Sequence, residues 1–227
     1  MAIVVIINKR NRLLNMREKN VLKDLWLKEI VPDQRTGQSS FTHSRIDCRN
    51  NNHAKECFHI AAGRLRNVNR WNEFAGKPTA AFQVFDEAGN AVNRPVQKND
   101  YMRINIPGPG NPDSDGGDWV QVIELGEKQG EQQQLLFFTV RAASNPMVTA
   151  TGAAHFFDRP ATSTFVVYRK QLTLMAAVFG RNEHSNLRTP NFITKIRNWF
   201  IYIGAQLGLA NLQWKALTHG LLHYNQS

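Results

Sequence analysis

The chain of 227 residues is long enough for one large domain or two small ones. Hydrophobic residues make up 42% of it and charged residues 20%, which is typical of a globular protein with a substantial core and excludes intrinsic disorder. The two cysteines, Cys48 and Cys57, are too few for a disulfide scaffold, so we expect reduced thiols in a cytoplasmic protein.

The net charge of +10 is concentrated near the N-terminus. Residues 1–70 contain 14 basic and 6 acidic side chains, whereas residues 71–227 contain 14 and 12. This bias fits nucleic acid, anionic lipid or an acidic protein as a partner, and equally a solvated face that aids solubility. The apolar run at residues 1–7 has no preceding charge, so it indicates a short strand or an anchor to a partner, not a signal peptide.

The next segments predict an N-terminal extension followed by a main domain. Residues 13–31 have apolar side chains at helical spacing, and Pro32 ends this predicted amphipathic helix. Residues 32–53 are polar and turn-rich, which predicts a linker. We therefore divide the chain into a basic extension of strand, helix and polar loop (residues 1–52) and a single α+β domain (residues 53–227) that ends in a long helical region.

The α+β domain consists mainly of predicted strands with short connections, which favour antiparallel pairing. Glu56–Ala62 predicts a short strand, and residues 63–75 predict a helix. The further strand candidates are Thr79–Glu87, Ala91–Val96, Tyr101–Ile106, Asp118–Lys128, Gln134–Ala143, Ser163–Tyr168 and Leu172–Phe179, the last two joined across Arg169–Gln171. Thr189 and Pro190 begin a predicted helix that extends to about Leu207, and Leu212–His223 predicts a second helical segment.

This order predicts a curved antiparallel sheet of about six to eight strands, covered by a long C-terminal helix. This layout resembles the helix-grip fold of the SRPBCC superfamily. The resemblance takes Phe58–Ala61 as the first strand, Val68–Phe74 as the helix after it, then the strand series and a final helix from Asn191. That superfamily includes START-type lipid-binding domains and polyketide cyclase-like proteins. The resemblance covers residues 55–224 and implies a cavity for an apolar ligand between sheet and helix. A β-barrel or sandwich with added helices is the competing fold.

Several polar side chains on or beside the predicted strands are candidates for holding a ligand. A charge on an inward strand face is costly unless it is paired or bound to a ligand. Arginines in such positions hold carboxylate or phosphate groups through two parallel hydrogen bonds, and a histidine near an acidic residue can exchange protons. The candidates are Arg103, Arg141, His155, Arg169, Arg181 and Glu183, unless strand alternation points them outward.

The sequence indicates no catalytic residue, cofactor or metal. Nucleophile-elbow, zinc-protease, Walker A and dinucleotide-binding motifs are absent, which favours a non-catalytic protein and leaves an enzymatic role open. His43, Cys48, His53, Cys57 and His59 are ligand types that zinc uses, but the cysteines are nine residues apart, where C-x-x-C is usual. The aspartates at 113, 115 and 118 lack the glycine that a calcium loop requires at its sixth position.

The hypothesis favoured by these observations is non-catalytic binding or assembly, as a homo-oligomer or within a larger complex. Docking would use the basic extension and the apolar C-terminal helix, through Arg10, Arg12, Arg17, Lys19, Lys23, Trp26 and Trp199. The alternative is a carrier of a small apolar ligand or a cyclase-like enzyme, and a third candidate is a nucleic-acid binder. Residues 199–209 are nearly apolar, but a helix of about seventeen residues reaches only ~25 Å, so we expect no membrane span.

Overall fold

The structure is a computed structural model and describes residues 16–76, 80–105, 118–147, 161–183 and 212–223. In these ranges eight strands form one antiparallel sheet, in the order β1-β8-β7-β6-β5-β4-β2-β3. The strands are β1 (Gln38–Asp47), β2 (Ala81–Phe85), β3 (Ala91–Val92), β4 (Tyr101–Asn105), β5 (Asp118–Gln129), β6 (Gln133–Ala142), β7 (Thr162–Lys170) and β8 (Thr173–Glu183). The predicted α+β fold class, with its antiparallel sheet and C-terminal helix, is therefore confirmed.

The described helices are α1 (Leu25–Ile30), α2 (Asn51–Arg66), α3 (Trp71–Ala75) and α4 (Leu212–Leu222). Residues 16–21 are also helical, and Val68–Arg70 forms a 3-10 turn between α2 and α3. None of the helices in the described ranges is long and apolar enough to cross a bilayer. The helix α4 matches the second predicted C-terminal segment, whereas the predicted helix from Asn191 to Leu207 lies outside the described residues.

The prediction of a strand at Glu56–Ala62 was wrong, because these residues belong to α2. Asn50 caps the helix by accepting a hydrogen bond from the His53 backbone N–H at 2.9 Å. The buried side chains of the helix recur at helical spacing and are Ala54, Cys57, Phe58, Ala61 and Leu65. The short apolar run resembled a strand only because the polar residues before it were assigned to a linker.

That linker assignment was also wrong, because residues 38–47 form β1, which pairs with β8 along its whole length. The strand was missed because buried polar side chains interrupt its apolar pattern. Ser44, for example, is buried and lies 3.0 Å from the Thr218 hydroxyl of α4, which satisfies its hydrogen bonding. The division of the chain at residue 52 stays a prediction.

The predicted helix at 13–31 is interrupted at residues 22–24 within the part that the structure describes. Asp24 ends the interruption by capping α1, with its Oδ1 accepting from the Trp26 backbone N–H at 3.1 Å. The predicted end of the helix before Pro32 is confirmed, since Val31 is the C-cap. The β7–β8 connection also differs, because the turn is Gln171-Leu172 and Arg169 lies inside β7.

The sheet is covered on both faces, here named front and back. On the front face α2, α3 and α4 enclose a core that includes Phe58, Leu65, Trp71, Phe138, Phe165, Leu174 and Leu217. On the back face α1 and the residues next to it pack on the sheet, in a second core of Leu27, Ile30, Val31, Phe41, Leu135, Phe137, Val166, Tyr168, Met175, Ala177 and Phe179. Each large side chain buried in this way contributes about 1.5–3 kcal/mol. The predicted basic extension is thus, from residue 16, a packed layer of the fold.

We expect Gly220→Ala to destabilise the protein by about 1–3 kcal/mol, because the added methyl group would meet the backbone carbonyl of Phe74 in α3. Gly63→Ala is the matched control, since it lies in a helix with nothing within 4 Å of its added Cβ. That control should be neutral or stabilising by up to about 1 kcal/mol. Urea denaturation checks both, and equal effects would contradict the close approach of α4 to α3.

Candidate functional site

The predicted ligand-binding arginines do not converge on one site in the described structure. Arg103 and Arg141 alternate with side chains of the front core, which places both on the back face together with Arg181. Arg169 follows Phe165 and Val167 on the opposite, front face. His155 lies outside the described residues. The positions of these residues therefore do not favour a single anion-binding cavity lined by all of them.

Arg169 is fully buried and binds acceptors of the protein itself. Its Nε donates to Gln134 Oε1 at 2.6 Å, and its Nη1 donates to Asn51 Oδ1 at 3.0 Å. Further bonds reach the carbonyl oxygens of Gln171 and Glu131, both at 3.1 Å. Burial lowers the pKa of this guanidinium from its ordinary value. The side chain thus joins the ends of two hairpins to the start of α2.

Arg181 joins separate segments of the chain on the back face, as Arg169 does on the front face. Its Nη2 forms an ion pair with the Glu18 carboxylate, while Nε donates to the Pro32 carbonyl at 3.2 Å and Nη1 to that of Gly180 at 2.9 Å. Both members of the ion pair are buried. The carboxylate that the sequence led us to expect from a ligand is therefore supplied by the chain itself, and it fixes residues 16–32 to the sheet.

Asp24 is the second anchor of this layer. Its Oδ2 accepts hydrogen bonds from the Tyr168 hydroxyl and the Lys170 ammonium, both at 2.7 Å. Burial alone would raise the pKa of Asp24, but the bonds from Lys170 and Tyr168 outweigh it and hold the pKa below its ordinary value. Burial, followed by the bond to Asp24, raises the pKa of Tyr168. At neutral pH the carboxylate is ionised and ties α1 to β7.

Glu183, the remaining predicted ligand residue, lies at the end of β8. Its Oε1 accepts a hydrogen bond from the Ser40 hydroxyl of β1 at 3.0 Å. The neighbouring Asn182 has a φ of 55° and contacts residues 33–36 through its amide. This end of β8 therefore holds the segment that leads from α1 into β1.

The outward side of the N-terminal layer combines positive charge with exposed apolar groups. We name it the outer basic surface, and it consists of Met16, Arg17, Lys19, Lys23, Leu25 and Lys28, all exposed. Leu25 is 77% exposed and Met16 57%, values that are high for side chains of this size. Trp26, in contrast, is half-buried and packs towards Gly130. Of the other predicted partner-binding residues, Arg10, Arg12 and Trp199 lie outside the described residues.

Aromatic rings pack against one another in the described part of the front layer. The Trp71 ring lies 5.1 Å from that of Phe82, 5.9 Å from Phe138 and 4.9 Å from Phe165, measured between centroids. Trp214 of α4 adds a contact to Phe165 at 5.2 Å, and the Trp71 indole N–H donates to the Leu65 carbonyl at 3.1 Å. The helices therefore pack against aromatic side chains of the sheet here. The ligand-carrier alternative stays a prediction.

One group of side chains in the described structure could hold a metal ion. One potential ligand atom each from Cys48, His53 and Cys57 lies within 4.8 Å of the other two. The sequence analysis named these three residues among possible zinc ligands but set them aside on linear spacing, whereas the turn from β1 into α2 brings Cys48 back to the helix. The aspartates at 113 and 115, considered for calcium, lie outside the described residues.

Comparisons with known proteins identify similar arrangements of sheet and helices. No protein-family model and no curated protein matches the chain. The solved structures that align with it include the hypothetical protein jhp0584 of Helicobacter pylori, protein Ms6760 of Mycobacterium smegmatis and a truncated norcoclaurine synthase of Thalictrum flavum. In that order, they cover 86%, 82% and 86% of this chain and 91%, 96% and 100% of their own. Their identities are 11%, 11% and 7% and their TM-scores 0.45, 0.37 and 0.35, so these matches carry no argument about fold, ligand or activity.

We expect Glu18→Ala to cost about 3–5 kcal/mol of unfolding free energy, because it leaves the Arg181 charge buried without its carboxylate. Glu29→Ala is the control, since its ion pair with Lys128 is largely exposed and is worth less than about 1 kcal/mol. Guanidinium denaturation measures both variants. A Glu18→Ala cost no larger than that of Glu29→Ala would contradict the anchoring role.

The Asp24 anchor predicts a defined dependence of stability on pH. Because the folded pKa is lowered, ionised Asp24 stabilises the fold above its unfolded pKa, near 3.8, and this contribution disappears as the pH falls through the folded value. Asp24→Asn keeps a capping side chain but removes the charge. We expect the variant to be less stable than the native protein at pH 7 and the difference to shrink in acid. A difference that does not change with pH, measured by urea denaturation, would contradict this.

Proposed function

We propose that the protein is a non-catalytic binding protein that docks an acidic protein partner through its outer basic surface. The observation that carries this proposal is the sorting of charge in the N-terminal layer. Glu18 and Asp24 point inward to Arg181, Lys170 and Tyr168. The cations of the same segment point outward, and its exposed Glu29 is paired with Lys128, so the segment presents a net positive surface to solvent.

The exposed apolar side chains support an interface over a merely solvated face. Leu25 and Met16 are among the most exposed large hydrophobic side chains of the described chain, and both lie among the cations. A protein interface combines such apolar contacts with a polar rim, and cations on its edge speed the approach of an acidic partner. The anchors at Glu18 and Asp24 hold the surface in place before binding, which lowers the entropic cost of association.

Anionic lipid and nucleic acid fit this surface less well. An interfacial helix binds lipid through a continuous apolar face, but Leu27 and Ile30 of α1 are already buried against the sheet. Single-stranded nucleic acid binds through exposed aromatic rings between cations, and the aromatic side chain of this segment, Trp26, packs towards Gly130. Both classes therefore enter the test as alternative outcomes.

The test compares capture from nuclease-treated lysate of the native host by the wild type and by the variant Lys19→Glu, Lys23→Glu, Lys28→Glu. The control carries reversals at Lys55 and Lys98, exposed residues outside the N-terminal layer. We expect an acidic protein to be retained by wild type and control, released by salt and lost by the triple variant. Light scattering of the purified pair should then show a stoichiometric complex.

Two results would overturn the proposal. One is a set of captured proteins that the triple variant retains as well as the wild type. The other is salt-sensitive binding of RNA, DNA or phosphatidylserine vesicles, lost in the triple variant, with no protein partner retained. Circular dichroism of the triple variant must match the wild type, and we expect it to, because the three lysines are exposed.

A further inference from the structure

Three potential metal ligands from two adjoining elements meet at the start of α2. Cys48 follows β1, and its backbone N–H donates to the Leu172 carbonyl at 2.8 Å, which fixes its position at the hairpin end. His53 and Cys57 are four residues apart on α2 and therefore share one face of the helix. One ring nitrogen and both sulfur atoms lie within 4.8 Å of one another.

These distances are close to what a tetrahedral zinc ion requires. With Zn–S bonds of about 2.3 Å and Zn–N bonds of about 2.0 Å, two ligand atoms stand roughly 3.5–3.8 Å apart. The remaining difference of about 1 Å can be closed by rotation of the side chains, since His53 is only half-buried. Cys48 and Cys57 are buried, which keeps competing solvent away from the sulfur atoms.

Metal binds the thiolate form of cysteine, and two features of the surroundings act towards that form. The positive end of the α2 dipole lies here, and its first turn contains no acidic residue. The Arg169 guanidinium acts on Cys48 in the same direction, towards a lower pKa. Without a metal, burial and the neighbouring Cys57 thiol dominate and raise the pKa of Cys48 to about 11, so metal must displace protons on binding.

His53 has one interaction that a metal would replace. Its Nδ1 accepts a hydrogen bond from the Arg49 backbone N–H at 3.3 Å. A metal at either ring nitrogen ends this bond, because Nδ1 would then carry the metal or the proton. The bond is long and exposed, so its loss is a small cost.

We propose that Cys48, His53 and Cys57 form a zinc-binding site of two thiolates and one imidazole, with a fourth position open to solvent. Thiolate and imidazole ligands together select Zn²⁺ over Mg²⁺ or Ca²⁺, which prefer oxygen. Two thiolates neutralise the dication, so the bound site adds no net charge to the buried layer. A water molecule would complete the tetrahedron, because the described residues bring three potential ligands together here.

The test uses the full chain, stripped of metal and kept reduced with a phosphine, and titrates it with Co²⁺ as a spectroscopic substitute for Zn²⁺. We expect a thiolate-to-cobalt charge-transfer absorption that saturates at one equivalent and disappears when Zn²⁺ is added. The stacked histidines His219 and His223 could also bind Co²⁺, but they have no thiolate and so cannot produce this band. Zn²⁺ should also raise the melting temperature, because it binds the folded state.

The histidine variants provide matched controls that preserve the fold. His53→Gln should weaken Co²⁺ and Zn²⁺ binding by at least 10–100-fold, the loss typical of even an outer-shell partner. His59→Gln, an exposed position on the same helix, should leave both affinities unchanged. Cys48→Ser or Cys57→Ser alone should reduce the charge-transfer band by half or more, and the double variant should abolish it.

The proposal is overturned if the reduced wild type shows no charge-transfer band, or if His53→Gln binds Co²⁺ as tightly as His59→Gln. A third result would also overturn it. If the phosphine is removed in the presence of Zn²⁺ and thiol counting then shows a Cys48–Cys57 disulfide, the two residues prefer oxidation to metal binding. The half-buried position of His53 keeps the comparison of the two histidine variants decisive even if the buried cysteine variants fail to fold.

Discussion

Arg181 places a guanidinium inside the back layer, where an unpaired charge would cost several kcal/mol. The Glu18 carboxylate and the Pro32 carbonyl compensate it, and both belong to the segment that covers this face. The layer can therefore close over the sheet only in the position that brings Glu18 to Arg181. Since that position turns Glu18 inward, the cations on either side of it, Arg17 and Lys19, lie outward. The buried ion pair thus fixes the docking of the layer together with the Asp24 anchor, and it turns these two cations towards the surface.

The strand β4 could be predicted from its alternating apolar and polar residues, and β6, β7 and β8 from nearly continuous apolar runs, which a strand covered on both faces produces. The strand β1 could not, because its buried Ser44 is satisfied by Thr218, which lies far away in the sequence. A polar residue with such a partner has the same appearance in sequence as a polar residue in a loop. The start of α2 was missed for a related reason, since Asn50 is a helix cap that resembles a turn residue until the helix after it is recognised.

Arg169 and Arg181 show the same limit at the candidate site. Both lie in the β7–β8 hairpin, both are buried, and they face opposite sides of the sheet. The alternation of side chains along paired strands predicts that the two arginines face opposite sides of the sheet. It does not predict which residues they contact. Asn51, Gln134, Glu18 and Pro32 come from four other parts of the chain. The residues therefore looked like ligand-binding groups, whereas the fold uses them to hold its layers together. The residues of the thiol–imidazole group were set aside in the sequence for the reverse reason, since only the turn before α2 brings them together.

The two layers meet at the end of the β7–β8 hairpin. Lys170 binds Asp24 of the back layer, Arg169 binds Asn51 of α2, and the Leu172 carbonyl accepts from Cys48. The connecting residue Gln171 has a φ of 54°, a conformation that favours glycine or asparagine, and its backbone N–H donates to the Gln132 carbonyl at 2.7 Å. A turn held by so many neighbours tolerates an unfavoured residue, because the contacts around it determine its conformation. The same contacts place the outer basic surface and the start of α2 at fixed positions on opposite sides of one sheet.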